Sequence, residues 1–521
     1  MADPRFAMSL EASVPQGEPR VVEFQPPSAP LEPRFARDAL EAVRPEDRAP
    51  KPLRKAKEPL PVADEPPESA ISNKSVLAES TGTAGETQAP AAPPPAAPSQ
   101  GGFIAGQHNN TSIPPDTSGA VGPTHVMTAL NNDVMIHDRA GALVSKTTLN
   151  RFWQALGFAG GTFDPKLVYD PFAERFIFVT MQNAESSDSR ILIAVSRTSD
   201  PRGLWFPAAI PVDAAAQGNV WLDYPSLGFC ADKITVSVNL YTISGNGFAG
   251  ATIYAFDKAA MVAGTPAAMQ RFVLVSQGGT HAPAVTYDAS LTTQYLVSRW
   301  SLRTAAVFEL TGSPAANTAQ LSPPRIVQTG GSGWDNQPST SIAPQNGSTR
   351  TINAGDDRMQ SACFRGGKLH AVHSIFLPQG GSTRSAVQWW VIDPANSSLA
   401  NGRIDDTSGT FMYAFPSLSV NRNGDIMIGH AVFSSTTFAA GAYTLKLAGA
   451  AAAQPVVFAP GAATYFVTFG GARNRWGDYS VTQVDPQDDS TFWTCQEFVL
   501  SQDVWAVKWN QPAVSGGPAT S

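Results

Sequence analysis

Cysteine is scarce in this chain. Its three cysteines, Cys230, Cys363 and Cys495, are an odd and widely spaced set with no CxxC among 521 residues. That excludes a disulfide framework or a cysteine-based zinc site as the organising feature, and leaves the role of small buried hydrophobes. Charge is sparse too, at 15% Asp, Glu, Lys and Arg with a net charge of −7. The isoelectric point near 5.6 argues against nucleic acid as a partner, because phosphate binding needs a basic face. No apolar run reaches the roughly 18 residues a membrane-spanning helix needs. The opening Met1-Ala-Asp-Pro-Arg-Phe6, followed by Glu11, Glu18 and Glu23, contains no apolar stretch of signal-peptide type. A soluble protein is expected, exported by an unconventional route in preference to remaining cytoplasmic. There is also no GxSxG, HExxH, Walker A loop or dinucleotide fingerprint in strand–helix context.

Glycine and proline are plentiful, at 43 each. Residues 1–100 hold much of the proline, ending in Ala89-Pro-Ala-Ala-Pro-Pro-Pro-Ala-Ala-Pro98. A stretch so poor in aromatic and β-branched clusters cannot bury enough apolar surface to offset its ordering entropy. It reads as a disordered, polyproline-rich tail or linker. Its short basic patch, Lys51-Pro-Leu-Arg-Lys-Ala-Lys57, is flanked by acidic residues and fits either a docking signal for a partner or a merely solvated run.

Composition changes at Gly101-Gly102-Phe103. From there short apolar alternations such as Lys233-Ile-Thr-Val-Ser-Val-Asn-Leu240 are separated by Gly, Asn, Asp and Pro, which are strand and turn signals. Only 150–158 and 257–262 look helical. Residues 101–515 are therefore expected to form one all-β domain, with 516–521 a flexible end.

A unit recurs along it: Asp, one or two residues, a small residue or Pro, a short strand, a turn, and a second strand. It opens at Asp116, Asp164, Asp223, His281 (in place of Asp), Asp357, Ala414 and Asp478. Units spaced by roughly 50 to 75 residues suit one four-stranded blade each. The pattern predicts a single seven-bladed β-propeller, although six or eight blades also fit such soft boundaries. Radial repetition explains how so much strand sequence avoids exposed edges.

Four phrases carry a resemblance: Pro114-Pro-Asp-Thr-Ser-Gly-Ala-Val-Gly-Pro-Thr-His125, Phe163-Asp-Pro-Lys-Leu-Val-Tyr-Asp170, Trp221-Leu-Asp-Tyr-Pro-Ser-Leu-Gly228, and Arg475-Trp-Gly-Asp-Tyr-Ser480 with Asp485-Pro-Gln-Asp-Asp-Ser-Thr-Phe-Trp493. Over about residues 103–510 the chain resembles bacterial sialidase-like, BNR-type propeller proteins, most of which have no assigned activity. The resemblance implies a propeller and carries no reaction. A sialidase's early Phe-Arg-Ile-Pro phrase and well-formed Asp-boxes are missing, and Asn421-Arg-Asn-Gly-Asp425 is the nearest approach to the latter.

Inner strands of a propeller begin at one mouth of the central channel. On the repeat alignment Asp116, Asp164, Asp223, Asp357 and Asp478 converge there with His281. Crowded carboxylates repel, and Ca²⁺ or Mg²⁺ would relieve them, so a channel-mouth cation is one expectation. The competing one is that these aspartates accept hydrogen bonds from turn N–H groups and never form a ring. Trp221, Tyr224, His281, Arg475, Trp476 and Tyr479 form a second candidate set, an aromatic platform for ligand, set against inter-blade packing. The Asp485–Asp489 loop reads as a polar turn. Taken together these features lead to the expectation of a non-catalytic propeller binding a carbohydrate or protein. The alternatives are a glycosidase- or lyase-type hydrolase using channel-mouth carboxylates, and a scaffold recruited through the tail.

Overall fold

The structure is a computed structural model that describes residues 99–512 apart from 109–112, 158–159, 214–216, 275–277, 337, 339–340 and 469–471. The Pro/Ala-rich segment up to 98 and the C-terminal end from 513 lie outside the described residues, as do the expectations attached to them.

The described chain is almost entirely β, in a propeller arrangement. Among the described residues five sheets have four or five strands each, a sixth has nine, and a two-stranded hairpin, Ala343–Gln345 with Ser348–Ile352, makes a seventh. The pattern within each is an antiparallel meander that reads outward from an inner strand. Residues 118–148 form one such sheet and 162–211 the next, each with its four strands in sequence order. The nine-stranded sheet consists of two meanders, 220–274 and 359–404. The two-residue strand Val285–Thr286 bridges them through parallel pairs with Phe229 and Cys363.

Strand burial shows why the sheets stack. Lys233–Thr242 is buried at all but its last position, although only alternate residues are apolar. Ile234, Val236, Val238 and Leu240 enter a core with Ile177, Val179 and Ile193 of the preceding sheet. Thr235, Ser237 and Asn239 are also buried and point the other way. Both faces of the strand are therefore covered, and a sheet whose two faces are covered needs no solvent-facing alternation. The two helical stretches expected from sequence are present and short. In Lys258–Ala263 the Asp257 side chain accepts from the Ala259 N–H as N-cap, and Gly264 closes the helix at φ 67°.

The ring is closed by chain segments far apart in sequence. Ser99–Gln107 pairs antiparallel with Val504–Pro512 and so becomes an outer strand of the last sheet. The Gln483 side chain clamps Val121, accepting from its N–H at 3.0 Å and donating to its carbonyl at 2.7 Å.

The inner strands surround an axial cavity of about 110 Å³ whose lining includes Ser118, Lys166, Ser226, Ala282, Gln360, Ser417 and Ser480. These residues mark one equivalent position in successive meanders. Register shifts recur beside it, between Phe163 and Lys166, Asp223 and Ser226, Met359 and Ser361, and Ala414 and Ser417. Each is a bulge that re-aims the strand start. All three cysteines are free and buried. No helix among the described residues is long and apolar enough to cross a membrane.

Candidate functional site

Two residues before that equivalent position, the backbone turns left-handed. Asp116, Asp164, Tyr224, Thr280 and Phe415 have φ between 50° and 54°, a conformation that costs a non-glycine residue about 1 kcal/mol or more. Arg358 and Asp478, two residues before Gln360 and Ser480, hold the same position without a positive φ, so the equivalent residues of successive units are Asp116, Asp164, Tyr224, Thr280, Arg358, Phe415 and Asp478. Of the five aspartates expected there, Asp116, Asp164 and Asp478 hold this position and Asp223 and Asp357 do not.

Asp223 and Asp357 sit one residue too early, because the bulge shifts which side chain faces the axis. Asp223 is opposite Asn239 in the ladder and its charge bears on Tyr241. Asp357 is fully buried against Arg299, Nε to Oδ1 at 3.0 Å, and accepts from the Trp334 indole N–H at 2.8 Å. Burial raises its carboxyl to about 6. His281 also lies off the mouth, buried edge-on against Phe308 at 4.9 Å.

The aromatic platform divides the same way. Trp221 is fully buried, donates to Asn246 Oδ1 at 2.9 Å and packs on Tyr241. Trp476 is packed among Phe433 and Tyr465. Both are core residues and offer nothing to a ligand. Tyr224, Tyr479 and Arg475 do reach the mouth.

There the three aspartates are joined by a residue the repeat does not announce. Asn131 donates to Asp116 Oδ2 and to the Pro114 carbonyl, while its Oδ1 accepts from the Asp164 N–H at 2.8 Å. Asp116 Oδ1 accepts from the Asp478 N–H at 3.0 Å. Tyr479 donates its hydroxyl to Asp164 Oδ2 at 3.1 Å. The Tyr224 and Tyr479 rings lie 4.6 Å apart. Arg358, bidentate on Asp356, covers the Tyr224 ring at 4.1 Å. Arg475 pairs with Asp478 at 3.1 Å, and their side chains are 12% and 22% exposed. Asp116 and Asp164 are only 2% and 3% exposed, so Asp478 is the carboxylate of this set that meets solvent.

Beneath them Glu497 accepts from the Gly477 N–H at 2.8 Å. Burial pushes its carboxyl well above the usual range, and the nearby Asp116 and Asp478 add to the effect. The loop carrying Arg475 and Asp478 is thus docked on a buried carboxyl group whose protonated form is favoured by desolvation. No group of three or more His, Cys, Asp or Glu among the described residues is placed to hold a metal ion. Two cations stand by these carboxylates: Arg475 pairs with Asp478, and Lys166 lies within the field of Asp164, Asp116 and Asp478.

The Asp485 loop is a latch. Asp485 takes Arg139 and the Trp493 indole N–H, and Asp489 takes Arg365. Asn421 and Asp425 hydrogen-bond each other at 3.0 Å across their turn.

No family model and no curated protein matches the chain. Among solved structures it is similar to a Penicillium chrysogenum alpha-L-arabinanase complexed with arabinobiose, at 12% identity and TM-score 0.40, over 80% of this chain and 98% of that one. It is also similar to a Fusarium graminearum GH93 alpha-L-arabinofuranosidase, at 10% identity and TM-score 0.36, over 76% and 92% of the two chains. A third is a Trypanosoma rangeli sialidase, at 8% identity and TM-score 0.34, over 72% and 57%. The propeller arrangement rests on the chain's own succession of four-stranded antiparallel sheets. The expectation of a non-catalytic binding propeller finds no support among these neighbours, which carry the names of enzymes.

Proposed function

We propose that the channel mouth is the active centre of a hydrolase of the glycosidase class, acting on a carbohydrate. The observation that carries this reading is the convergence of Asp116, Asp164 and Asp478, from three separate inner strands or their approach loops, with the solvent-reaching Asp478 held between Arg475 and the Asp116 carboxylate. Glycoside hydrolysis needs one carboxylate to meet water or the anomeric carbon and a second group to protonate the leaving oxygen. Asp478 fills the first role. Tyr224 and Tyr479 are buried beside it, their rings covered by Arg358 and Lys166, and serve to position these charges.

The blade count in this reading is seven. Support comes from the two meanders within the nine-stranded sheet, joined only through the short Val285–Thr286 strand. Further support comes from the equivalent cavity-lining residues Ser118, Lys166, Ser226, Ala282, Gln360, Ser417 and Ser480.

The test is reducing-end release from a panel of arabinans, xylans, pectins and bacterial glycans. The full chain is expected to release sugar from at least one. Asp478→Asn is expected to lose activity by about 100-fold or more with an unchanged melting temperature. Absence of release across the panel, or full activity in the variant, defeats the proposal.

A further inference from the structure

Asp478 leaves the second half of the chemistry unassigned, and the groups around it narrow the choice. Asp116 and Asp164 are buried and already accept hydrogen bonds from Asn131, Tyr479 and the Asp478 N–H. Glu497 lies beneath the loop, 4% exposed. Arginine does not release a proton in proteins, which removes Arg358 and Arg475.

Lys166 differs from all of these. It lines the axial cavity, and the charges of Asp164, Asp116 and Asp478 act on its amine. Its Nζ lies 3.2 Å from the Tyr479 ring centroid and 5.9 Å from that of Tyr224. Among the described residues it rests on those rings and makes no ion pair, even though it is ringed by carboxylates. Side chains facing it are Asp116 ahead of the first inner strand, Asp164 on its own strand, Tyr224 on the next, and Asp478 and Tyr479 on the last loop; Arg358 and Arg475 stand behind these. On the cavity side are hydroxyls, with Tyr287 and Cys363 further in.

We propose that Lys166 is the acid–base partner of Asp478, handing a proton to the leaving oxygen and recovering it through the axial cavity. The inference rests on the hydrolase reading. As water attacks the anomeric carbon, the Asp478 carboxylate takes its proton. The glycosidic C–O bond breaks, and the leaving oxygen takes a proton from the Lys166 ammonium. The neutral amine then regains a proton and Asp478 loses one, so the net reaction consumes one water. A cavity of about 110 Å³ whose lining includes the hydroxyls of Ser226, Ser361, Ser417 and Ser480 has room for the several waters such a return path needs. Burial suits the amine to this, since it lowers Lys166 to about 7 against the pull of the three aspartates.

The test has two independent arms on the full chain. Competitive acetylation across pH, read by mass spectrometry, follows the Lys166 amine without any substrate. Half-reactivity near pH 7 is expected, and titration near 10 alongside the other lysines overturns the proposal while leaving the hydrolase reading intact. On whichever glycan the chain cleaves, Lys166→Arg keeps a cation among the aspartates but cannot donate its proton. It is expected to fold and to lose at least 100-fold in kcat, and the alkaline limb of the wild-type pH profile is expected to lie near 7. Lys166→Met serves as the neutral companion. Retained activity with an unchanged profile in Lys166→Arg overturns the assignment. Failure of the wild type to cleave any glycan defeats the hydrolase reading, and this role with it.

Discussion

The backbone N–H of Asp478 donates to the carboxylate of Asp116, 3.0 Å away in space and 362 positions away in sequence. This bond joins the last loop to the first inner strand across the seam where the ring closes. The same carboxylate also accepts from Asn131, so one buried group anchors both the seam and the mouth.

Replacing it tests that anchoring. Asp116→Ala strands two buried donors, the Asp478 N–H and the Asn131 amide, each worth about 1.5 to 3 kcal/mol when bonded to a charge. A loss of about 3 kcal/mol is expected in denaturant titrations. Asp116→Asn, which keeps an acceptor oxygen, is expected to lose less than half of that.

Trp221 separates packing from ligand contact. It is fully buried, so Trp221→Ala is expected to cost about 3 to 5 kcal/mol, as other large-to-small core changes do. Tyr224→Phe removes only a hydroxyl whose bond to the Asp478 carbonyl is long, at 3.4 Å. It is expected to keep the melting temperature within a few degrees. A stable Trp221→Ala chain with impaired glycan turnover would reverse that assignment.

Much of this architecture was legible in the sequence, and the misplaced aspartates Asp223 and Asp357 share one cause. Asp223-Tyr224-Pro225 and Asp478-Tyr479-Ser480 look like the same phrase, and aligning them on Asp places both aspartates at the mouth. In the folded chain the bulge between Asp223 and Ser226 gives the left-handed position to Tyr224, at φ 52°, so the tyrosine takes the place Asp478 holds in its own unit. A one-residue bulge reverses which side chain faces the axis and leaves no mark in an alternating pattern. Asn131 and Glu497 were invisible for a different reason: they come from a turn and a second strand, outside the repeated phrase. Lys166 did carry a signal, a lysine two residues after the Asp of an inner strand.

Calcium offers a direct check on the charge balance of the mouth. With Lys166 among Asp116, Asp164 and Asp478, millimolar Ca²⁺ and chelator are expected to give the same melting temperature. A rise of several degrees in Ca²⁺ that disappears in Asp478→Ala would mean that the aspartates hold a cation after all.

Acid sensitivity follows from the buried histidines. His430 is wholly buried, with Nε2 3.0 Å from Thr444 Oγ1, and burial lowers it to about 4. Its folded value is depressed, so the neutral ring contributes stability that is present above the ordinary value near 6.5 and is lost as pH falls toward 4. At 1.36 kcal/mol per unit the loss reaches about 3 kcal/mol. His137 and His370, also near 4, act in the same direction. Glu497 works the opposite way. Its raised carboxyl contributes stability below the ordinary glutamate range, and that is lost as pH rises through its folded value. Stability is therefore expected to fall through the histidines as pH drops below their ordinary value, and through Glu497 as pH rises out of the ordinary glutamate range. His430→Gln should flatten the first slope and Glu497→Gln the second. Urea midpoints measured from pH 4 to 9 on the three chains distinguish this from general charge repulsion, which neither substitution would selectively remove.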